Sequence, residues 1–272
     1  MDDQIIAVFC LIDDMLKALR HYEDKQCQMR DAEVMTTALV AMLHFRGNFE
    51  LARHMLYEQG YIPTMLSKSR FNRRLYRLTD LVLVCFSVLG ERWKELNNES
   101  IYVIDSFPIA ACDNYRIPDS KRYRGAVWRG HQASKQRYFY GLKLHLMVTQ
   151  HGQPVEFFLT PGSYGDVRAL KSYSFDLPSG AWVIGDKAYN DYVVEDTLSE
   201  ADLHLVPFRK KNSKRPVPPW LRYLQTCYRK IIETTGSLVE RLLPKSIHAV
   251  TPQGFELKVA LFVLACSFSY LW

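Results

Sequence analysis

The hydrophobic period of this chain changes near Ser100, and that change limits the folds open to it more than any other feature. Before it, apolar residues recur at helical steps: Ile5, Phe9, Ile12, Leu16 and Leu19, then Val34, Ala38, Ala41, Met42 and Phe45, with Asp31 placed to cap the second series. Asn48 is placed to cap a third helix to Gln59. After a break at Gly60 to Pro63, Phe71, Leu75 and Leu78 mark one face of a further helix, and Arg70, Arg73, Arg74 and Arg77 its other face. Beyond Ser100 the pattern becomes that of strands. Ile101 to Asp105 is a short buried run, Tyr138 to Gln150 alternates, and Val155 to Thr160 returns after a turn at His151, Gly152 and Gln153. Helix and strand patterns then follow in turn: a helix from Asp166, a strand at Ala181 to Gly185, a helix from Asp191, a strand at Leu203 to Phe208, and a long helix from Trp220 to Leu243.

A strand-helix-strand unit in one sheet requires parallel strands and a right-handed crossover. Three antiparallel strands followed by two such units give a mixed α/β fold: a five-stranded sheet flanked by helices and preceded by an all-helical region. The expected division is residues 1–98, a helical part for DNA-end binding or dimerisation, and residues 99–272, the sheet domain with its basic loops and an apolar C-terminal helix. If the fourth strand lies beside the first, Asp105 and Asp186 emerge together, and Glu233 on the last long helix can reach the same place. Three carboxylates at one point would hold divalent metal, and two such ions suit phosphodiester displacement. Taken singly, an Asp after a strand is more often a turn or cap residue. Asp166, the main competitor for the second position, is expected to cap the helix it begins.

The net charge of +6 is concentrated. No acid occurs between Asp119 and Glu156, where Lys121, Arg122, Arg124, Arg129, Lys135, Arg137 and Lys143 lie. None occurs between Asp202 and Glu233, where Arg209, Lys210, Lys211, Lys214, Arg215, Arg222, Arg229 and Lys230 lie. Such fields attract polyanions, and the interleaved Tyr123, Trp128, Tyr138, Trp220 and Tyr223 are candidates to stack on bases. Lys187 and Arg229 are candidate phosphate contacts, with Arg229 alternatively orienting Glu233. His145, in mid-strand, is expected to be a hydrogen-bonded structural residue. The six cysteines show no CxxC or Cys/His spacing, so reduced thiols are expected. The N-terminus has no basic stretch before its apolar residues and reads as the start of a helix, which points to a cytoplasmic protein, nucleoid-associated when bound. The uncharged run from Val259 to Trp272 is shorter than the roughly 20 residues of a membrane span, and a helix buried against the catalytic domain or a second subunit is expected.

The motifs Ile104-Asp105-Ser106-Phe107-Pro108, Tyr140-Gly141-Leu142-Lys143-Leu144-His145, Gly185-Asp186-Lys187-Ala188-Tyr189 and Arg229-x-x-Ile232-Glu233 stand in the order found in one family. The chain resembles the DDE transposases of bacterial insertion sequences, within the ribonuclease H-like superfamily. That resemblance implies a ribonuclease H-like sheet, Asp105, Asp186 and Glu233 as catalytic metal ligands, and Mg²⁺ as cofactor with Mn²⁺ as substitute. It also implies double-stranded DNA as partner, both element ends and target, on which a homodimer or higher assembly forms. Arg70, Arg73, Arg74, Arg122, Arg124, Arg129, Lys187, Lys210, Lys211 and Arg229 are the DNA contacts it suggests. Some relatives carry a tyrosine and a lysine where this chain has Thr226 and Glu240. Two other readings stay open: a ribonuclease H-like nuclease or resolvase that cuts without joining, and a transposase-derived DNA-binding protein without catalysis.

Overall fold

A computed structural model describes residues 1–132, 136–209, 213–244 and 246–272. They form two compact units: Met1–Leu89 with Val239–Trp272, and Gly90–Leu238. The first unit is helical. Its core is α2 (Asp31–Phe45), against which α1 (Asp2–Ala18), α3 (Phe49–Glu58), α4 (Lys68–Arg77) and the C-terminal α9 (Pro252–Phe268) pack. A helix surrounded in this way must be apolar on all sides. Accordingly α2 is buried from Asp31 to Met42 except at Glu33, and α9 over nearly all of its length. The sequence placed α9 with the sheet or a second subunit; its apolar surface is instead satisfied by α2 within the helical unit. Among the described residues no helix is long and apolar enough to cross a membrane.

The cap expected at Asp31 is also different. Arg30 takes the cap position, its amide donating to Glu33 Oε2 at 2.6 Å. Asp31 is the first residue of α2, and its buried carboxylate faces Arg74 and His21. Asn48 does cap α3, accepting from the amides of Glu50 and Leu51.

The second unit is a six-stranded mixed sheet. Its strands are β1 (Ile101–Cys112), β2 (Arg129–Gln132), β3 (Arg137–Thr149), β4 (Pro154–Pro161), β5 (Trp182–Gly185) and β6 (His204–Pro207). β3 pairs antiparallel with β1 on one side; on the other it pairs with β2 near its start and with β4 along the rest. β1, β5 and β6 are mutually parallel neighbours. The arrangement is the expected one, with β5 beside β1, plus the unexpected β2. Arg129-Gly130-His131-Gln132 has no apolar alternation, so only its backbone ladder with β3 reveals it as a strand.

Two helices make this unit's crossovers, α6 (Asp166–Lys171) and α7 (Tyr192–Glu200), and most of α8 (Pro219–Leu242) follows its last strand. Asp191 caps α7 through the amides of Val193 and Val194. α8 is fastened by Gln225 Nε2 donating to Val206 O and by Thr235 Oγ1 donating to Gly152 O, both at 3.0 Å. A Cβ at Gly236 would overlap the ring of Phe107, so glycine sets the closest approach of α8 to β1. Near the end of α5 (Thr79–Leu96), Lys94 Nζ lies 3.0 Å from Glu156 Oε1, both side chains buried.

Candidate active site

The register of β1 and β5 brings two acids together. Ile104 pairs with Gly185 in the parallel ladder, so Asp105 and Asp186 are the next residues on adjacent strands. Neighbouring strands lie about 4.8 Å apart, close enough for two carboxyl groups to share one cation. β5 ends there because Asp186 caps a short 3₁₀ turn, Lys187–Tyr189.

Asp105 is half-buried, and its own Oδ1 accepts from the Ser106 amide at 2.7 Å. Burial pushes its carboxyl up to about 6, and the charges of Asp186 and Asp166 push the same way against that amide and Arg229. Asp186 has Arg229 Nη1 at 3.7 Å. Arg229, on α8, turns its Nε to Glu233 Oε1 at 2.8 Å and lies over the ring of Phe208. Glu233 is thus linked to Asp186 through a guanidinium. Among the described residues no three acid, histidine or cysteine side chains are close enough to hold a metal together.

The residues that match the family motifs run from Ile104 to Glu233, and the family's sequence profile covers the same stretch. Residues 96–245, more than half of the chain, match the transposase DDE domain. The chain belongs to the DDE transposase domain family. A cryo-EM structure of the piggyBac transposase synaptic complex with hairpin DNA is similar at a TM-score of 0.47 and 10% identity, over 99% of this chain and 73% of that one. No curated protein matches the chain.

Around the DDE domain's aspartates lies a set of polar residues that the sequence did not single out as a unit. Asp166 was expected to cap α6, but Gly165 occupies that position. The Asp166 carboxylate instead accepts from Ser106 Oγ at 2.9 Å and Lys143 Nζ at 3.1 Å. His145 is fully buried, with ring nitrogens 3.2 Å from the Tyr189 hydroxyl and 3.0 Å from Thr160 Oγ1, and is the structural histidine expected. Ser106 and Tyr189 both stand inside the motifs that carry the aspartates, which was the available signal.

The expected DNA contacts divide. Arg70 and Arg73 on α4 are exposed, as are Arg124, Arg129, Lys187 and Arg229. Arg74 is not presented outward: its Nε and Nη2 meet Asp31 and Glu23 at 2.8 Å each, and its Nη1 donates to Cys27 Sγ. Arg122 is half-buried and donates to Ala111 O. Lys210 and Lys211, like Lys135, lie outside the described residues. Arg209 and Arg215 in the second basic run pair with Glu195 and Asp196 of α7, which neutralises part of that run. Tyr123 is buried against Trp128, ring centroids 4.4 Å apart, and cannot stack on a base in that position. Tyr138, Trp220 and Tyr223 are exposed. All six cysteines are free thiols.

Proposed function

We propose that the chain is a metal-dependent transposase that cuts DNA at the ends of an insertion sequence and joins those ends to target DNA, with Asp105, Asp186 and Glu233 as its catalytic carboxylates. The observation that carries this reading is the consecutive register of Asp105 and Asp186 on parallel strands within a DDE domain. An all-oxygen donor set suits a hard divalent ion, Mg²⁺ with Mn²⁺ as substitute. The raised Asp105 carboxyl fits the same ion, because a cation relieves the repulsion that Asp186 and Asp166 exert on it. When bound, the metal supplies charge stabilisation for the attacking and leaving oxygens of an in-line displacement.

The chain's own residues do the remainder. The Ser106 amide orients Asp105, and Arg229 links Glu233 to Asp186. Lys187, next to Asp186, is placed to bind a DNA phosphate. Arg124 and Arg129 border a cavity of about 730 Å³ together with Lys121 and Tyr140, a cationic stop for the DNA backbone beside β2. The exposed arginines of α4 give the helical unit a surface for element ends, and a homodimer or higher assembly holds two ends at once.

Purified protein incubated with labelled end DNA and Mg²⁺ or Mn²⁺ tests the reading. Cuts at the element boundary followed by ligated target products are expected, and Asp105→Asn and Asp186→Asn should abolish both. Cleavage unchanged in these variants removes the assigned site. Cuts that never become joined products make the protein a nuclease, and metal-independent binding with no cut makes it a DNA-binding derivative.

A further inference from the structure

A buried polar chain runs beneath the two aspartates, and the reading above leaves it without a task. It starts at Thr160 on β4, whose Oγ1 lies 3.0 Å from His145 Nε2, and continues from His145 Nδ1 to the Tyr189 hydroxyl at 3.2 Å. His145 itself stands opposite Ser106 in the β1–β3 ladder. Ser106 Oγ donates to Asp166, which Lys143 neutralises.

The Asp166 carboxylate only accepts, so Ser106 donates to it, while His145 donates from one ring nitrogen and accepts at the other. A neutral imidazole is required, and burial pushes His145 down to about 4. Bonds aligned head to tail strengthen one another in a dry interior.

Both aspartates are attached to this layer. Tyr189 closes the 3₁₀ turn that Asp186 opens, and its ring packs on Gly185, where a Cβ would stand 3.2 Å from it. Ser106 follows Asp105, and its amide holds the Asp105 carboxylate.

We propose that Tyr189 is a positioning residue: its bond to His145 ties the turn carrying Asp186 to the β1–β3 ladder that carries Asp105, and so sets the spacing of the two carboxylates for a divalent cation. This rests on the metal-site reading above. Residues that orient metal ligands without touching the metal typically change affinity 10–100-fold when removed.

The test uses the full chain with Tyr189→Phe, which removes one hydroxyl and keeps the ring. Two quantities are read: the rise in thermal unfolding midpoint produced by Mg²⁺ or Mn²⁺ without DNA, and the metal concentration giving half-maximal end cleavage. The expected result is a smaller metal-induced rise and a half-saturating concentration raised about tenfold, with metal-free DNA affinity unchanged. If Tyr189→Phe does not fold, His145→Gln, which keeps a group for Thr160 and withdraws the one that meets Tyr189, should show the same shift. Asp105→Asn separates the two ideas. If it abolishes the metal response while the folded Tyr189→Phe, or His145→Gln in its place, responds like the parent, the positioning role is overturned and the metal site stands. If Asp105→Asn keeps the metal response, the site reading falls and the positioning role with it.

Discussion

The helical unit and the sheet unit each bring acidic side chains together, and they treat the charge in opposite ways. In the helical unit, Glu23 and Asp31 share the guanidinium of Arg74, with His21 Nε2 2.8 Å from Asp31. Charge is matched within the unit, and the cluster ties the segment before α2 to α4. In the sheet unit, Asp105 has no cation at ion-pair distance among the described residues, and burial, joined by its acidic neighbours, raises its carboxyl instead. A cluster that is already neutral has little left to offer a cation. One that keeps like charges together is a place where a cation gains most, so the difference separates structural acids from candidate ligands.

The largest effect that sharpens this contrast is on catalysis. Asp105→Asn should lower end cleavage by at least about a hundredfold, measured on labelled DNA, while leaving thermal stability equal to or above that of the parent in the absence of metal. A clear loss of stability would place Asp105 among the structural acids. The mirror experiment is Arg74→Ala, which strands two carboxylates, one of them buried. It should cost about 3 kcal/mol in chemical denaturation and do nothing specific to cleavage by the protein that stays folded. A stable Arg74→Ala protein with weakened DNA binding would return Arg74 to the DNA surface and erase the contrast.

A pH titration examines the layer under the aspartates. The folded protein holds His145 near 4, against 6.5 for an ordinary imidazole, so the unfolded chain binds the extra proton between those values. Stability from this group is therefore complete above pH 6.5 and declines as pH falls towards 4, by up to about 3 kcal/mol. A His145→Gln variant should lack that part of the pH dependence, and an identical pH profile in both proteins would show that the imidazole is not held neutral. Gly236→Ala should lose about 1–2 kcal/mol despite alanine's better helix propensity, because its methyl meets Phe107. The smallest change is expected at Arg73→Ala, which should reduce the salt dependence of DNA binding by about one phosphate contact and leave stability within experimental error.

Much of the fold was open to reading because each strand and helix announces itself locally. The apolar run that stops at Asp186 marks the end of β5, and the alternation from Tyr138 marks β3, whereas β1 continues past Asp105 to Cys112. β2 was hidden, since a polar strand held by backbone pairing leaves no trace in hydrophobicity. Asp166 reads as a helix cap until Ser106 and Lys143 are seen on neighbouring strands. Arg74 belongs to a basic helix face until Asp31 and Glu23, far away in the chain, are found against it. Tyr123 looks like a base-stacking residue until Trp128 covers it.

By itself the sequence determined the order of strands and helices. Tertiary structure alone decided that the strand before Asp186 pairs with the one carrying Asp105, which charges are matched, that Glu233 rests on Arg229, that α9 belongs with α2, and that Tyr189 meets His145. The division has one physical cause: periodicity comes from neighbours along the chain, whereas desolvation, ion pairing and hydrogen bonding depend on neighbours in space that lie tens of residues apart.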